Sequence, residues 1–293
     1  MTNLTITNKV VVGIGELLWD VFPSVKHIGG SPANFIYHIN QLGASGIIVS
    51  SIGKDSQGNE IYDNLKRVGI SGEYIQRNNH LPTGISRVQI DNDSTPSYKI
   101  DENVAWDNIV QSDAINKLAN ECNAVYFGTL AQRSKVSRDT INKFLQNTKP
   151  DTLKICDINF RKPFYNQEIV FKSLEICNIL KLNIDELQIL CDILIINESE
   201  DKTLEILTEN YNLDLIALTK GEGSRIFSKD CDSHMPPRKI EIEDTVGAGD
   251  SFTAGMVIGL LKGLSLIEVH KLADQIATFV CTMPGATPEL NFN

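Results

Sequence analysis

The sequence predicts an α/β protein in which helices cover both faces of a mainly parallel central sheet. Short runs of apolar and β-branched residues alternate with amphipathic segments along most of the 293 residues, which is the rhythm of such a fold. The hydrophobic fraction of 42% is enough for a sizeable core. Since no long Gly/Ser/Pro-rich linker, low-complexity tract or internal repeat interrupts the chain, we expect one domain over residues 1–293.

The strands of the predicted sheet are continuous apolar runs. This pattern is typical of parallel strands, because helices bury both of their faces. The runs are residues 10–14, 46–52, 124–127, 153–157, 179–182 and 215–219. Polar residues that follow these runs should meet at one edge of the sheet, since ligand sites in such sheets lie at the carboxyl ends of the strands.

The helices are predicted from capping residues and from apolar side chains at helical spacing. Ser31 and Pro32 open a helix that reaches Leu42, with Ser31 as N-cap, Pro32 at the first helical position and Gly43 as its end. Further helices are predicted over residues 59–68, 253–261 and 266–280.

One region breaks this rhythm. Residues 84–91 and 96–101 alternate between apolar and polar side chains, as the two strands of a hairpin do, and the polar residues 92–95 would join them. A hairpin inside such a fold needs a place of its own beside the parallel sheet. An open hairpin edge invites pairing with a second copy of the chain, which predicts a homodimer.

Charge and apolar patterning exclude two classes of partner. The formal net charge of −10, with no Lys/Arg cluster, argues against binding to nucleic acid. The longest apolar run, around residues 10–19, is too short to span a bilayer and is broken by glycines and Glu16, and residues 1–9 do not resemble a secretory signal. We therefore expect a cytoplasmic protein with no membrane partner.

The cysteines and histidines give no sign of a zinc site or of disulfides. The six cysteines are scattered without a C-x-x-C pair, and the five histidines are dispersed without H-E-x-x-H. Reduced, packed thiols are the simpler interpretation.

The segment 244–252, with the letters DTVGAGDSF, carries the clearest chemistry. It lies where an extended stretch turns into a helix, and backbone N–H groups at a helix start have no intrahelical partner. Gly247, Ala248 and Gly249 would let a phosphate approach those amides closely. Asp250, in the same first turn, can take a proton from a hydroxyl beside that phosphate, which suits phosphoryl transfer to an alcohol. The alternative is that Asp250 and Ser251 merely cap the helix.

The segment is one of several motifs that occur in the order known from the ribokinase-like (PfkB) sugar kinases. The chain resembles that family over nearly its whole length, and bacterial fructokinases most closely. The other matching motifs are Gly15-Glu16, Asp20, GGSPAN at 29–34, PTG at 82–84, FGTLAQR at 127–133, DINFR at 157–161, NIDE at 183–186, TKGEG at 219–223 and GATP at 285–288.

The resemblance implies a three-layer fold with a small β lid, formed from about residues 17–28 and 84–104, over a sugar site. In the family such lids also pair between subunits. The implied activity is transfer of the γ-phosphate of ATP to a primary hydroxyl of a monosaccharide, with fructose as the first candidate and Mg²⁺ as cofactor.

The resemblance also assigns residues to the sugar and to the charge that develops during transfer. Asp20 would accept hydrogen bonds from sugar hydroxyls, and Arg161 would supply a planar cation. Backbone and amide groups of Gly29, Gly30, Asn34 and Asn159 would complete the sugar site. Without the family context, a solvated loop carboxylate is the favoured interpretation of Asp20, and an ordinary turn is that of Gly29 and Gly30. The alternative for Arg161 is a surface side chain in a turn.

A third group matches the nucleotide and cation positions of the family. Asn183 and Glu186 match an N-x-x-E element that the resemblance links to Mg²⁺ held through water, although the same spacing is that of a helix-capping box. The nucleotide-binding turn is matched by Thr219, Lys220, Gly221 and Gly223. A potassium site is matched by Asp244, Val246 and Gly285.

Other functions fit the sequence less well. Residues 10–15 could open a dinucleotide-binding turn, but Leu18 stands where the third glycine belongs. The P-loop pattern G-x-x-x-x-G-K-[ST] is absent from the sequence. Ribose, 2-keto-3-deoxygluconate or a nucleoside are alternative acceptors within the family, and a non-catalytic sugar sensor is the alternative from another class.

Overall fold

The computed structural model describes residue 6 and residues 8–23, 25–90, 96–221 and 223–290. Its strands are β1 Val10–Ile14, β2 Leu18–Val21, β3 Lys26–Gly29, β4 Ser45–Gly53, β5 Ile75–Asn78, β6 Gly84–Ile90, β7 Pro96–Ile100, β8 Ala124–Gly128, β9 Leu153–Asp157, β10 Ile179–Asn183, β11 Leu215–Lys220, β12 Gly223–Phe227 and β13 Asp232–Met235. Its α-helices are α1 Ser31–Gln41, α2 Ser56–Arg67, α3 Asp113–Glu121, α4 Lys135–Gln146, α5 Gln167–Ile176, α6 Ile184–Leu194, α7 Glu200–Tyr211, α8 Ala248–Leu261 and α9 Leu266–Cys281.

The large sheet confirms the predicted fold class. Its strand order is β13-β12-β11-β10-β9-β8-β1-β4-β5, and every pair from β11 to β5 is parallel. The six predicted strands are its centre. The antiparallel edge formed by β12 and β13 was not predicted from the sequence.

Two apolar cores lie on opposite faces of this sheet, which gives three layers. Successive residues of a strand face opposite cores: Val11 packs in one and Val12 in the other. Helices α1, α2, α8 and α9 cover the face of Val11, and helices α3 to α7 cover the face of Val12.

Helix α1 begins one position earlier than the capping pattern predicts. Gly30 is the N-cap, and Ser31 and Pro32 form the first turn, so the prediction of Ser31 as N-cap is wrong. The reason is a close chain crossing. A Cβ at position 30 would lie 2.3 Å from the carbonyl oxygen of Glu16, and φ at Gly30 is 106°, so a glycine fits here and a side chain does not.

The predicted hairpin is present and belongs to a separate small sheet of strand order β3-β2-β6-β7. Strands β6 and β7 pair antiparallel, with Ser86 opposite Ile100, and β2 pairs parallel to β6, with Asp20 opposite Ser86. The predicted loop at 92–95 lies outside the described residues. Among the helices of the described ranges, none combines the length and the apolar character that crossing a membrane requires.

Arg225 ties the antiparallel edge of the large sheet to α7. Its side chain is 5% exposed, and it donates through Nε and Nη2 to both carboxylate oxygens of Asp232, at 2.8 and 2.7 Å. Nη1 donates to Glu200 at 2.9 Å and to Asp201 at 2.6 Å. Glu200 also binds the ammonium of Lys220, so this cluster fixes the end of β11.

We expect Arg225→Ala to lower the free energy of unfolding by about 2–3 kcal/mol, because several charge-assisted hydrogen bonds disappear while their carboxylates regain some water. Arg238→Ala is the matched control, since the Arg238 side chain is 42% exposed and, within the described residues, forms an ion pair with Asp274 alone. Its cost should stay below about 1 kcal/mol. Urea denaturation measures both, and equal losses would contradict the assignment of Arg225 as a buried anchor.

Candidate active site

The first turn of α8 meets the carboxyl ends of β8, β9 and β10. Asp250 lies in this turn and is 9% exposed. Its Oδ2 accepts a hydrogen bond from Nδ2 of Asn34, at 3.0 Å, and its Oδ1 lies 3.2 Å from the hydroxyl of Tyr126. Burial raises the pKa of Asp250 to about 7, and the nearby charge of Asp157 adds to the rise, while Asn34 and Lys181 oppose it. Such a carboxyl can take up a proton near neutral pH.

The amides of α8 form a cradle beside this carboxyl. Gly247 is the N-cap, with φ of 78°, and the N–H groups of the following turn have no acceptor within the helix. A Cβ on Gly247 would lie 2.5 Å from the carbonyl oxygen of Ala286, so the loop at 284–287 packs directly against the helix start. The arrangement suits an anion, as the sequence predicts for Gly247, Ala248 and Gly249.

A buried ion pair lies behind the cradle. Nζ of Lys181, on β10, is 3.4 Å from both carboxylate oxygens of Asp157, at the end of β9. It also lies 2.8 Å from the place where a Cβ on Gly249 would stand. Burial alone would lower the pKa of Lys181, but the carboxylates of Asp157, Glu186 and Asp250 outweigh it and raise the pKa. Lys181 therefore places a positive charge directly beneath the start of α8.

Tyr126 of β8 connects this ion pair to Asp250. Its hydroxyl donates to Oδ2 of Asp157 at 2.9 Å, and its ring stacks on Phe35 at a centroid distance of 4.5 Å. Sequence reasoning missed Tyr126 and Lys181 and gave Asp157 no role. A lysine in the middle of an otherwise apolar buried strand was the one signal that pointed to such a pair.

Glu16 is a further buried carboxyl, 3% exposed, at the turn after β1. Burial raises its pKa to about 7; its own amide opposes the rise, Asp250 adds to it, and Arg161 and the amide of Ser31 oppose it. Oε2 of Glu16 has no hydrogen-bond partner among the described residues. Glu16 was not predicted as a site residue; in the sequence it stands out only as part of a motif and as an interruption of an apolar run.

The predicted sugar residues gather around the start of α1. Asp20 lies on β2, where burial raises its pKa and a hydrogen bond from Ser86 opposes the rise. Gly29 leaves room for it, since a Cβ there would lie 1.9 Å from Oδ2 of Asp20. Asn159 donates to the hydroxyl of Ser31 at 2.6 Å, and Asn34 follows one turn along α1.

Arg161 lies between these residues and the ion pair. Its positive charge lowers the pKa of Glu16, Asp20 and Glu186 against the effect of their burial. Its Nη1 donates to the carbonyl oxygen of Phe160 at 3.3 Å. The guanidinium is therefore close enough to Glu16, Asp20 and Glu186 for its charge to act on all three.

Asn183 and Glu186 form a capping box at the start of α6. Oδ1 of Asn183 accepts from the amide of Glu186, and Oε2 of Glu186 accepts from the amide of Asn183, each at 2.8 Å. Burial raises the pKa of Glu186, and Asp157 adds to the rise. The capping interpretation is therefore confirmed, and it leaves Oε1 of Glu186 outside the box.

The predicted nucleotide turn lies at the end of β11. Thr219 and Lys220 close that strand, Gly221 follows, and Gly223 begins β12, with Glu222 outside the described residues. The ammonium of Lys220 donates to both carboxylate oxygens of Glu200, at 2.7 and 2.6 Å. In the described contacts this ammonium therefore pairs with the start of α7 and not with Asp250.

The three residues of the predicted potassium site are brought together by one carboxylate. Oδ1 of Asp244 accepts from the amide of Val246 at 3.0 Å, and Oδ2 accepts from the amide of Gly285 at 3.1 Å. His38 donates from Nε2 to the carbonyl oxygen of Ala286 at 2.9 Å; burial lowers its pKa to about 4, which keeps it neutral.

Side chains alone do not build a metal centre in the part of the chain that the structure describes. No group of three or more His, Cys, Asp or Glu residues is placed there to hold an ion. Any cation at this site would rely on backbone carbonyls, water and the phosphates of a bound nucleotide, which is how magnesium is commonly held.

Comparison with known proteins gives close to full-length matches. The putative sugar kinase PH1459 of Pyrococcus horikoshii is 27% identical over 297 residues, which cover 94% of this chain and 91% of that protein. Its crystal structure in complex with ATP matches with a TM-score of 0.80 at 25% identity, covering 94% of each chain. Probable fructokinase-4 of Arabidopsis thaliana is 25% identical over 309 residues, covering 96% of this chain and 94% of that protein.

A structure of a putative Ribokinase II from E. coli matches with a TM-score of 0.83 at 19% identity, covering 95% of this chain and 94% of that chain, and it supports the ribokinase-like fold. The model of the pfkB family carbohydrate kinases matches residues 14–291. That match includes the small sheet, every strand of the large sheet except most of β1, the start of α8 and the loop at 284–287. The chain belongs to the pfkB family of carbohydrate kinases.

Proposed function

We propose that this sugar kinase transfers the γ-phosphoryl group of ATP to a primary hydroxyl of a monosaccharide, with fructose as the first candidate. The observation that carries the proposal is Asp250, a buried carboxyl with a raised pKa in the first turn of α8, beside backbone amides that have no acceptor within the helix. The ATP complex of PH1459 and the similarity to fructokinase-4 support the choice of donor and acceptor.

In this mechanism Asp250 is the general base. The acceptor oxygen gives its proton to Asp250 as it bonds to the γ-phosphorus, and the bond from that phosphorus to the bridging oxygen breaks to release ADP. The amides of Gly247, Ala248 and Gly249 and the charge of Lys181 would stabilise the negative charge that spreads over the phosphoryl oxygens. Asn34 holds Asp250 in place through its amide.

The sugar would lie between the small sheet and the start of α1. Asp20 would accept hydrogen bonds from its hydroxyls, Gly29, Gly30, Asn34 and Asn159 would offer backbone and amide groups, and Arg161 would face the transferred charge. The small sheet would act as a lid that excludes water. We propose that all 293 residues form this one kinase domain.

Two cations fit the donor groups of the chain. Glu186, whose Oε1 lies outside the capping box, would hold Mg²⁺ through water with Asn183 nearby, and the ion would neutralise phosphate charge. Asp244 and the carbonyl groups near Val246 and Gly285 would hold K⁺. Thr219, Lys220, Gly221 and Gly223 would border the nucleotide.

The proposal includes a homodimer formed through the small sheet and a cytoplasmic location. The small sheet has β3 and β7 as its outer strands, and an outer strand can pair with a second copy. All six cysteines are free thiols, which suits a reducing compartment.

A survey of acceptors tests the activity. ADP release should be measured with fructose, ribose, glucose, tagatose, 2-keto-3-deoxygluconate and nucleosides, each with and without potassium. Release that depends on one sugar supports the proposal and names the acceptor. Sugar binding without ADP release from any acceptor would instead identify a non-catalytic sensor.

The pH dependence of kcat/KM follows from the raised pKa of Asp250. We expect the rate to be highest where Asp250 is ionised and to fall as the pH drops through about 7, because the protonated carboxyl cannot take a proton. Glu16→Gln is the matched control, since Glu16 also has a pKa of about 7. That variant should keep the acid limb, moved to lower pH because one neighbouring carboxylate is gone. Loss of the limb in Glu16→Gln would assign the titration to Glu16.

A further inference from the structure

Behind the cradle, the hydroxyl of Tyr126 lies between two carboxylate oxygens but has only one hydrogen to donate. Oη of Tyr126 lies 2.9 Å from Oδ2 of Asp157 and 3.2 Å from Oδ1 of Asp250. A phenol has one hydrogen to donate, and an ionised carboxylate has none. Burial raises the pKa of Tyr126, and both carboxylates raise it further, so the phenol keeps that hydrogen. When both carboxylates are ionised, only one of them can receive a full hydrogen bond from Tyr126.

Asp157 is the better acceptor. Its oxygen is the nearer of the two, and the ion pair with Lys181 keeps its charge in place at 3.4 Å. Asp250 already receives the amide hydrogen of Asn34. The hydroxyl hydrogen of Tyr126 therefore points to Asp157, and a lone pair of its oxygen faces Oδ1 of Asp250.

We propose that Tyr126 is a positioning residue that accepts a hydrogen bond from Asp250 only after Asp250 has taken the proton of the acceptor hydroxyl. The inference rests on the proposed role of Asp250 as base. It adds a role for the Tyr126 hydroxyl, which contacts Oδ1 of that base. Such a hydrogen bond stabilises the protonated carboxyl that follows proton transfer, and it thereby strengthens Asp250 as a base.

The proton balance of the step is simple. During transfer the proton lies between the acceptor oxygen and Asp250. Once it is bound to Oδ1, it turns away from the acceptor oxygen and is donated to Oη of Tyr126. The proton goes no further, because Tyr126 keeps its own hydrogen, which it donates to Asp157. After the products leave, Asp250 returns the proton to water.

The groups that face Asp250 come from five elements. They are Glu16 after β1, Asn34 on α1, Tyr126 on β8, Asp157 on β9 and Lys181 on β10. Glu16 and Asp157 oppose ionisation of Asp250, whereas Lys181 and Asn34 favour it, as Tyr126 would if it donated its hydrogen to Oδ1. Of the contacts that these groups make with Asp250, the direction of the Tyr126 hydrogen bond can be tested by a single substitution.

Tyr126→Phe removes the hydroxyl and keeps the ring that stacks on Phe35. We expect kcat to fall about 3–10-fold, the usual effect of one buried hydrogen bond. We also expect the acid limb of kcat/KM to move to lower pH by about 0.5–1 pH unit, because protonated Asp250 loses its acceptor. Tyr211→Phe, on α7, is the control and should leave the limb in place.

The sign of the shift decides the matter. If Tyr126 instead donates to Asp250, its removal takes a donor from the carboxylate, and the limb moves to higher pH. That shift, or an unmoved limb, overturns the inference while Asp250 remains the base. An acid limb that survives in Asp250→Asn overturns the proposed base itself. Thermal unfolding checks that Tyr126→Phe folds, and Tyr126→Met, which also lacks the hydroxyl, replaces it in the same comparison if it does not.

Discussion

Replacing Asp250 by asparagine is expected to lower kcat by about 10²–10⁴-fold, the usual range for the loss of a general base. Asparagine has nearly the same shape, and its carbonyl oxygen can still accept the hydrogen bond from Asn34. What the amide cannot do is take up the proton of the acceptor hydroxyl. Sugar-dependent ADP release measures the loss, and calorimetry should show ATP binding within a few-fold of the original chain.

Asp20→Asn is the matched control for this substitution. Asp20 is also a partly buried carboxyl with a raised pKa, but it lies on the small sheet and is proposed to bind sugar hydroxyls. Its substitution should raise KM for the sugar more than it lowers kcat. An Asp250→Asn enzyme with near-normal kcat would remove Asp250 from the role of base, and loss of ATP binding in that variant would assign Asp250 to the cradle.

Replacing Gly247 by alanine is expected to lower kcat by about 10²-fold, comparable to the loss of one aligned donor in an anion hole. Gly247 has φ of 78°, and an added Cβ would lie 2.5 Å from the carbonyl oxygen of Ala286 and 2.7 Å from its Cα. Because both atoms belong to the backbone, either the loop at 284–287 or the start of α8 must move. The amides of the cradle then no longer point at the phosphoryl group.

Gly69→Ala separates the effect of this contact from backbone strain. Gly69 has φ of 77°, and no described heavy atom lies within 4 Å of the position that its Cβ would take. Both variants pay the cost of a left-handed alanine, about 1–2 kcal/mol of stability. Only Gly247→Ala should lose activity; equal kinetics in the two variants would show that the packing against Ala286 has no part in catalysis.

The centre of the fold is predictable from the sequence because its strands are buried on both faces and are therefore continuous apolar runs. The edge formed by β12 and β13 is less visible. In β12 the polar residues Ser224 and Arg225 stand next to each other before two apolar residues, so the strand is neither a continuous apolar run nor an alternating one. The partners of Arg225 lie on α7 and β13. No local sequence pattern predicts such contacts between residues of different elements.

The same limit applies to the site. Asp250 and Asn34 are predictable because each belongs to a motif, and the structure joins them by a hydrogen bond. Tyr126 and Lys181 lie inside apolar strands, where position alone suggests plain core residues. Their chemistry arises from side-by-side placement of β8, β9 and β10, a pairing that links residues far apart in the sequence.

Asn34 and His38 are one turn apart on α1, and each contacts a different part of the molecule. Asn34 binds the side chain of Asp250, and His38 binds the backbone at Ala286, against which Gly247 packs. A single helix therefore holds both Asp250 and the loop at 284–287, which borders the amide cradle. Because both contacts come from α1, a displacement of this helix moves the two together, and the distance between Asp250 and the cradle changes less than if separate elements held them.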